Sequence, residues 1–282
     1  MHRRGGHCDN AACAMQSSML VCQITDLHVK LPGELSRRVV DCAAMLKQCV
    51  DAIVRLPQQP DVVVATGDLV DGGGIEEYAH VRRLLAPLSI PVYLIPGNRD
   101  DRAAMRSVFS DHDYLQQWPP FIQYAIDDWP LRIVALDTVV PTESGGRLCA
   151  ERLDWLDQTL ASKPSQPTVL IMHHPPFPTF IGSNGRFGFD GSEVLAQIVA
   201  RNPQIERVLC GHIHRSVTFR FGGTIASICP STAHQTTLDL SDAVPTFMLE
   251  PSGFQLHAWK QDVGVVSHTA CIGDYAGPYP FR

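Results

Sequence analysis

The sequence predicts an α/β fold whose sheets mix parallel and antiparallel strands, and two observations predict it. Over residues 19–108, short apolar runs alternate with amphipathic helical segments, the β-α-β-α order of parallel strands under covering helices. Farther on, two apolar runs follow one another across a tight polar turn with no helix between them, as in an antiparallel hairpin. No internal repeat or low-complexity block interrupts the 282 residues, so one main domain is expected.

MLVCQIT, from Met19, is the first strand and runs into the polar DLH. The next segment sets Leu35, Val39, Cys42, Met45, Leu46, Cys49 and Ile53 on one stripe, which predicts a helix over 35–56. DVVVATGD and IPVYLIPGN are the next strands, with helices expected near 75–86 and 101–108. FIQYAIDDWPLRIVALDT reads as a hairpin turning at Asp127 to Pro130. ERLDWLDQTLAS is a helix with Leu153, Leu156 and Leu160 inward, SQPTVLIMHHPP returns to a strand, and a helix near 192–200 precedes the strand RVLCGHIH. Hairpin-like strands follow to about Trp259. The expected division is an N-terminal extension over 1–18, a domain over 19–260, and a Gly- and Pro-rich tail or interface arm over 261–282.

A net charge of -6 and a pI near 6.0 offer no basic footprint for a phosphate backbone, so long nucleic acid is excluded as a partner and a nuclease is disfavoured. Nine cysteines, an odd number without any CxxC, read as reduced thiols, which points to the cytoplasm. No apolar run is long enough to span a membrane, and the basic first eighteen residues lack the apolar core of a secretory signal. His2, His7, Cys8 and Cys13 in that extension match no familiar metal-ligand spacing.

Chemistry concentrates in five short motifs at the carboxyl ends of predicted strands, where α/β sheets gather their ligand-binding loops. They are DLH (Asp26, His28), GDLVD (Asp68, Asp71), GNRD (Asn98, Arg99), MHHPP (His173, His174) and GHIH (His212, His214). Each is weak alone. Together they offer carboxylate, carboxamide and imidazole but no thiolate, a donor set suited to Mn, Fe, Zn or Co. Such imidazoles bind only when neutral, so metal affinity should weaken in acid. Asp71 is read as a carboxylate that caps backbone donors in its loop.

This ordered set resembles the calcineurin-like metallophosphoesterases. Within them, GDLVDGG, IPGN, LDT, GGRLCAERLDWL, MHHPP and GHIHR look like the class III cyclic-nucleotide phosphodiesterases and the similar glycerophosphodiesterases. The resemblance implies a four-layer α-β-β-α sandwich with two divalent transition-metal ions at its upper edge. It further implies Asp26, His28 and His214 on one ion, Asn98, His173 and His212 on the other, and Asp68 bridging both. It places the ligand of MHHPP first, at His173. Two such ions activate a bridging water for in-line attack and offset charge on the phosphoryl oxygens. The substrate implied is a small phosphodiester, first of all 3′,5′-cyclic AMP, with a glycerophosphodiester or a broad range of diesters as the alternative. Oligomers are common among such enzymes, so a homo-oligomer is a further expectation. A non-catalytic metal-binding scaffold is the rival from another class.

One position departs from the pattern. Most members have histidine after GN, and here Arg99 stands there. A guanidinium keeps its proton at any ordinary pH, so Arg99 cannot protonate a leaving group, but it can grip phosphate oxygens with two N–H bonds. The expectation is an Arg99 clamp with His174 as candidate proton donor. The competing reading has Arg99 turned into an ion pair with Asp100 or Asp101.

Overall fold

The computed structural model describes residues 18–182, 188–241 and 243–281. Its first half comprises β1 (Ser18–Ile24), α1 (Cys42–Val54), β2 (Val62–Thr66), α2 (Ile75–Leu85), β3 (Val92–Ile95) and α3 (Arg102–Val108). After these come β4 (Tyr124–Ile126), β5 (Arg132–Leu136), the short β6 (Gly146–Arg147), α4 (Ala150–Ala161), β7 (Thr168–Met172), the short β8 (Phe189–Asp190), α5 (Ser192–Arg201) and β9 (Ile205–Cys210). The chain closes with β10 (Val217–Phe221), β11 (Thr224–Ile228), the short β12 (Gln235–Thr236) and β13 (Phe247–Met248), then β14 (Gly253–Lys260) and β15 (Gly264–Cys271).

Two mixed sheets result, one ordered β15-β14-β1-β2-β3 and the other β10-β11-β9-β7-β5-β4. Strands β1, β2 and β3 are mutually parallel, as are β5, β7, β9 and β11. The period-2 alternation of the second sheet explains the layering. Ile133, Ala135, Val169, Ile171 and Leu209 pack into one core with the first sheet and α1 to α3. Their neighbours Val134, Leu136, Leu170, Met172 and Val208 face the other way, onto Leu153, Leu156, Leu160, Leu195 and Ile198 of α4 and α5. Every residue of β2, β5 and β7 is therefore buried, and the stack is helix, sheet, sheet, helix.

Two expectations need correction. The helix predicted over 35–56 begins only at Cys42, because the Asp41 side chain accepts the Ala44 N–H at 2.9 Å and caps it there. The five residues before it form a tight turn closed by Ser36 and Val40, which leaves Leu35 and Val39 of the predicted stripe 45% and 59% exposed. Beyond the expected boundary at 260, β15 pairs along the whole of β14, so the fold continues to Cys271, and of the expected tail only the turn 261–263 and residues 272–281 lie outside a regular element among the described residues. The run looked tail-like because β15 is an edge strand with five polar or small residues, Gly264, Ser267, His268, Thr269 and Ala270, and no repeating apolar face. At the other end, Ser18 opens β1, while residues 1–17 of the expected extension lie outside the described residues.

Candidate metal centre

All seven residues expected to hold metal meet at the carboxyl ends of β1, β2, β3, β7 and β9. Asp26, His28 and His214 place one ligand atom each within 4.8 Å of one another, and so do Asp26, Asp68 and His173. Asn98 joins them through Oδ1, 3.2 Å from His173 Nε2. His212 sits beside His173, ring centroids 5.1 Å apart, and its backbone N–H donates to Asp26 Oδ2 at 2.8 Å. His214 lies on the other side, its Nε2 3.1 Å from His28 Nε2 and 3.3 Å from Asp26 Oδ1.

The backbone is bent hard to achieve this. Asp26, His28, Asp68, His212 and His214 all have positive φ, between 46° and 75°. Left-handed backbone costs a residue bearing a β-carbon about 1–3 kcal/mol and collects where a site over-determines it. Gly97 shows how tight the turn is, since a β-carbon there would overlap the backbone nitrogen and Oδ1 of Asp68. Asp100 ties the loops after β2 and β3 together by accepting the backbone N–H groups of Leu69 and Gly97 and, at 2.8 Å, the O–H of Tyr78. Burial and the nearby Asp68 charge push its carboxyl up to about 7.

Three of the imidazoles are oriented through their far nitrogen. His173 Nδ1 donates to the Thr66 carbonyl at 2.8 Å and His214 Nδ1 to the His234 carbonyl at 2.9 Å, which turns both Nε2 lone pairs toward the carboxylates. His28 Nδ1 lies 3.2 Å from Asp71 Oδ1. Asp71 thus differs from the expected loop cap: its two oxygens take the His28 ring and the Ser36 hydroxyl rather than backbone N–H groups. Burial raises Asp71, and the His28 contact with the Arg99 and Arg37 charges brings it well below the usual carboxylate range. Asp26, fully buried, is likewise held low by His214, His173 and His28 against the upward pull of burial. His214 gains in return: burial lowers it, and Asp26 more than compensates, raising it.

The structure also brings in a residue that motif reading missed. His234, 4% exposed, packs its ring 4.7 Å from His214 and 5.5 Å from His28, and its Nδ1 has no hydrogen-bond partner. Burial, then His214 and His28, push it down to about 3. A lone histidine in STAHQ carries no spacing signal, so only the fold reveals it.

His174 is buried behind His173, its Nδ1 2.7 Å from the Thr138 hydroxyl, its Nε2 unpartnered and its ring 4.6 Å from His212. Burial, His212 and His173 hold it well below its ordinary value, so it is a neutral imidazole. Arg99 touches the cluster through its backbone N–H, which donates to Asp68 Oδ1 at 2.8 Å. Its side chain is exposed and makes no ion pair with Asp100 or Asp101: the first is spent on the donors named above, and the second caps α3 at Ala104. The segment 177–190, expected as a pocket wall, is described only at its ends. Phe177 and Ile181 are buried, Phe189 and Asp190 line an open cleft of about 670 Å³ with residues 142–147, and 183–187 lie outside the described residues.

The fit to metal is good on the atoms themselves. Asp26 Oδ1 is buried without any hydrogen-bond partner, at a point where imidazole nitrogens converge on it. Leaving such an atom unsatisfied is costly, and a divalent cation satisfies it. No helix among the described residues is long and apolar enough to cross a membrane.

Comparison with known proteins agrees with this architecture. A probable glycerophosphodiester phosphodiesterase, GpdQ, from Arcobacter nitrofigilis is 36% identical, over 93% of this chain and 97% of its own. A 3′,5′-cyclic adenosine monophosphate phosphodiesterase, CpdA, from Pseudomonas aeruginosa is 30% identical over 81% of this chain and 82% of its own. Among solved structures, a dimetal phosphatase from Danio rerio superposes with a TM-score of 0.60 over 90% of this chain and 99% of its own at 15% identity, which speaks to the fold. The calcineurin-like phosphoesterase family profile matches residues 19–216, and the chain belongs to that family.

Proposed function

We propose that the protein is a binuclear metal-dependent phosphodiesterase acting on small diesters. Asp26, His28 and His214 would hold one divalent ion, Asn98, His173 and His212 would hold the second, and Asp68 would serve both. The observation that carries this reading is the placement of the Asp68 carboxylate: Oδ2 lies 3.5 Å from His28 Nε2, and Oδ1 lies 3.5 Å from His173 Nε2. One oxygen thus faces each half of the cluster, and only a carboxylate bridges two cations while offsetting their charge.

When bound, the ions supply an activated water and a Lewis-acid grip on the phosphoryl oxygens. The protein's own groups do the rest. The backbone N–H of Arg99 fixes the Asp68 carboxylate, and we assign the exposed guanidinium of the same residue to clamping the phosphate. Asn98 contributes a neutral oxygen, which keeps the centre positive enough to attract an anion. His174 and His234 each keep an unpartnered buried nitrogen beside the cluster, but burial holds both neutral, so the proton expected from His174 falls instead to solvent water at the leaving oxygen.

For substrate we place an open glycerophosphodiester ahead of the cyclic AMP that the motif frame suggested. What supports this order is the alignment with the glycerophosphodiesterase relative over 93% of the chain, against 81% for the cyclic AMP enzyme. The seven described cysteines are free thiols, in keeping with a cytoplasmic enzyme, and a homo-oligomer remains part of the proposal. Hydrolysis of glycerophosphocholine and of cyclic AMP by manganese-loaded protein, with Asp68→Asn as blank, tests the reading. Metal-dependent cleavage of either sustains it. Folded protein that binds no transition metal and cleaves neither revives the scaffold.

A further inference from the structure

The short loop that displaced the start of the predicted helix holds two arginines in an unusual state. Arg37 and Arg38 are consecutive and both left-handed, with φ of 51° and 68°, a backbone that residues with a β-carbon avoid. The closed turn imposes this backbone, and arginine rather than the glycine that would adopt it freely occupies both positions. The root of the loop is fixed on two sides of the metal cluster. On one side, the Ser36 hydroxyl donates to Asp71 Oδ2 at 3.2 Å, and Asp71 is the group that orients His28. On the other, Val40 is buried against Ala233, the chain neighbour of His234. Two backbone bonds between Ser36 and Val40, both 2.9 Å, close the turn so that Arg37 and Arg38 form its exposed tip.

The tip therefore stands at the mouth of the cluster, between Asp71 and His234. Neither guanidinium makes a hydrogen bond or ion pair among the described residues. Lys30 adds a third cation to the same rim, 4.0 Å from Asp71 Oδ2, where it also pairs with Glu34 at 3.6 Å. Lys30 is thus matched by carboxylates, whereas Arg37 and Arg38 are not. The cluster and Arg99 already account for the one charge of a scissile diester, so Arg37 is available for another.

We propose that Arg37 is a specificity residue, selecting diesters whose non-leaving arm carries a further anionic group, a carboxylate or a phosphate. The inference rests on the phosphodiesterase reading above. A forked guanidinium on a rigid turn recognises such a group with two N–H bonds, and it repels a cationic arm. Cyclic AMP lacks any second anion, so this substrate class is an open diester.

Four 4-nitrophenyl phosphodiesters, identical in leaving group and differing in the other arm, test the inference: 2-carboxyethyl, 2-phosphonoethyl, ethyl and choline. Ratios of kcat/KM among them cancel any general loss from a disturbed loop. The wild type is expected to favour the two anionic arms over choline by about tenfold or more, with the ratio shrinking as salt rises. Arg37→Gln should bring the ratio toward one, and Arg37→Glu should invert it. The two anionic arms separate a carboxylate from a phosphate preference. A wild-type ratio of one or below, or a ratio that Arg37→Glu leaves in place, overturns the inference while the ethyl diester is still cleaved. Failure to cleave any of the four with metal bound overturns the phosphodiesterase reading along with it.

Discussion

The two halves of the proposed metal centre are built by different means. In the half built on Asp26, His28 and His214, all three residues sit on left-handed backbone, and His28 is aimed by a side chain, Asp71. In the half built on Asn98, His173 and His212, only His212 is left-handed, and His173 leaves the end of β7 already aimed by the Thr66 carbonyl of the neighbouring sheet. Orientation by a backbone carbonyl survives any single side-chain replacement, whereas orientation by a carboxylate does not. The first half should therefore be the fragile one.

Asp68→Asn gives the largest effect, because it removes the group that serves both halves. We expect turnover to fall by about 10³-fold, the scale of losing a preorganised charge-stabilising group, with metal content reduced in both halves. Asp71→Asn comes next and sharpens the contrast. It should weaken one of the two metal-binding steps by about 10- to 100-fold in a calorimetric titration and leave the other within about twofold, as for the loss of a carboxylate behind a histidine ligand. Equal weakening of both steps would erase the proposed asymmetry.

Arg99→Ala addresses what is shared above the cluster. Removal of the clamp should lower kcat/KM by about tenfold, near the 1.5–3 kcal/mol of a charged hydrogen bond partly screened at an exposed side chain. If Arg99→Ala leaves turnover unchanged and Arg99→His raises it, the clamp is wrong.

The smallest effect lies away from the metals. His257 is fully buried between Gln23 and Ser267, and burial, with Arg207 adding to it, pushes its ring down to about 3. Its unfolded value is near 6.5, so the unfolded chain takes up the proton first. Stability is thus whole above about pH 6.5 and declines as pH falls from there toward 3, by up to about 1.4 kcal/mol per pH unit for one such histidine. Denaturant melts of metal-free His257→Gln between pH 7 and 5 should lose stability less steeply than the wild type.

Much of this molecule was legible in its sequence because burial on both faces leaves a plain signature. VVVA, IVAL and VLIM are continuous apolar runs, and they form the body of β2, β5 and β7. The motif residues could be found because each follows such a run. Hidden from the sequence was everything decided by a local competitor or a distant partner. The stripe through Leu35 and Val39 keeps perfect helical spacing, yet Asp41 captures the helix start and the chain before it folds back on itself. Asp71 and Ser36 are 35 residues apart and meet only in the fold, so a carboxylate aimed at His28 looked like an ordinary loop cap. His234 had no motif around it at all, and its nearness to His28 depends on a chain separation that no local pattern records.

Counting metal ions per chain tests the central claim most directly. Protein stripped of metal, reloaded with manganese and freed of excess should hold two ions per chain by mass spectrometry, and His173→Ala should retain one. A wild type that saturates at a single ion, or a His173→Ala that still holds two, would contradict a binuclear centre bridged by Asp68.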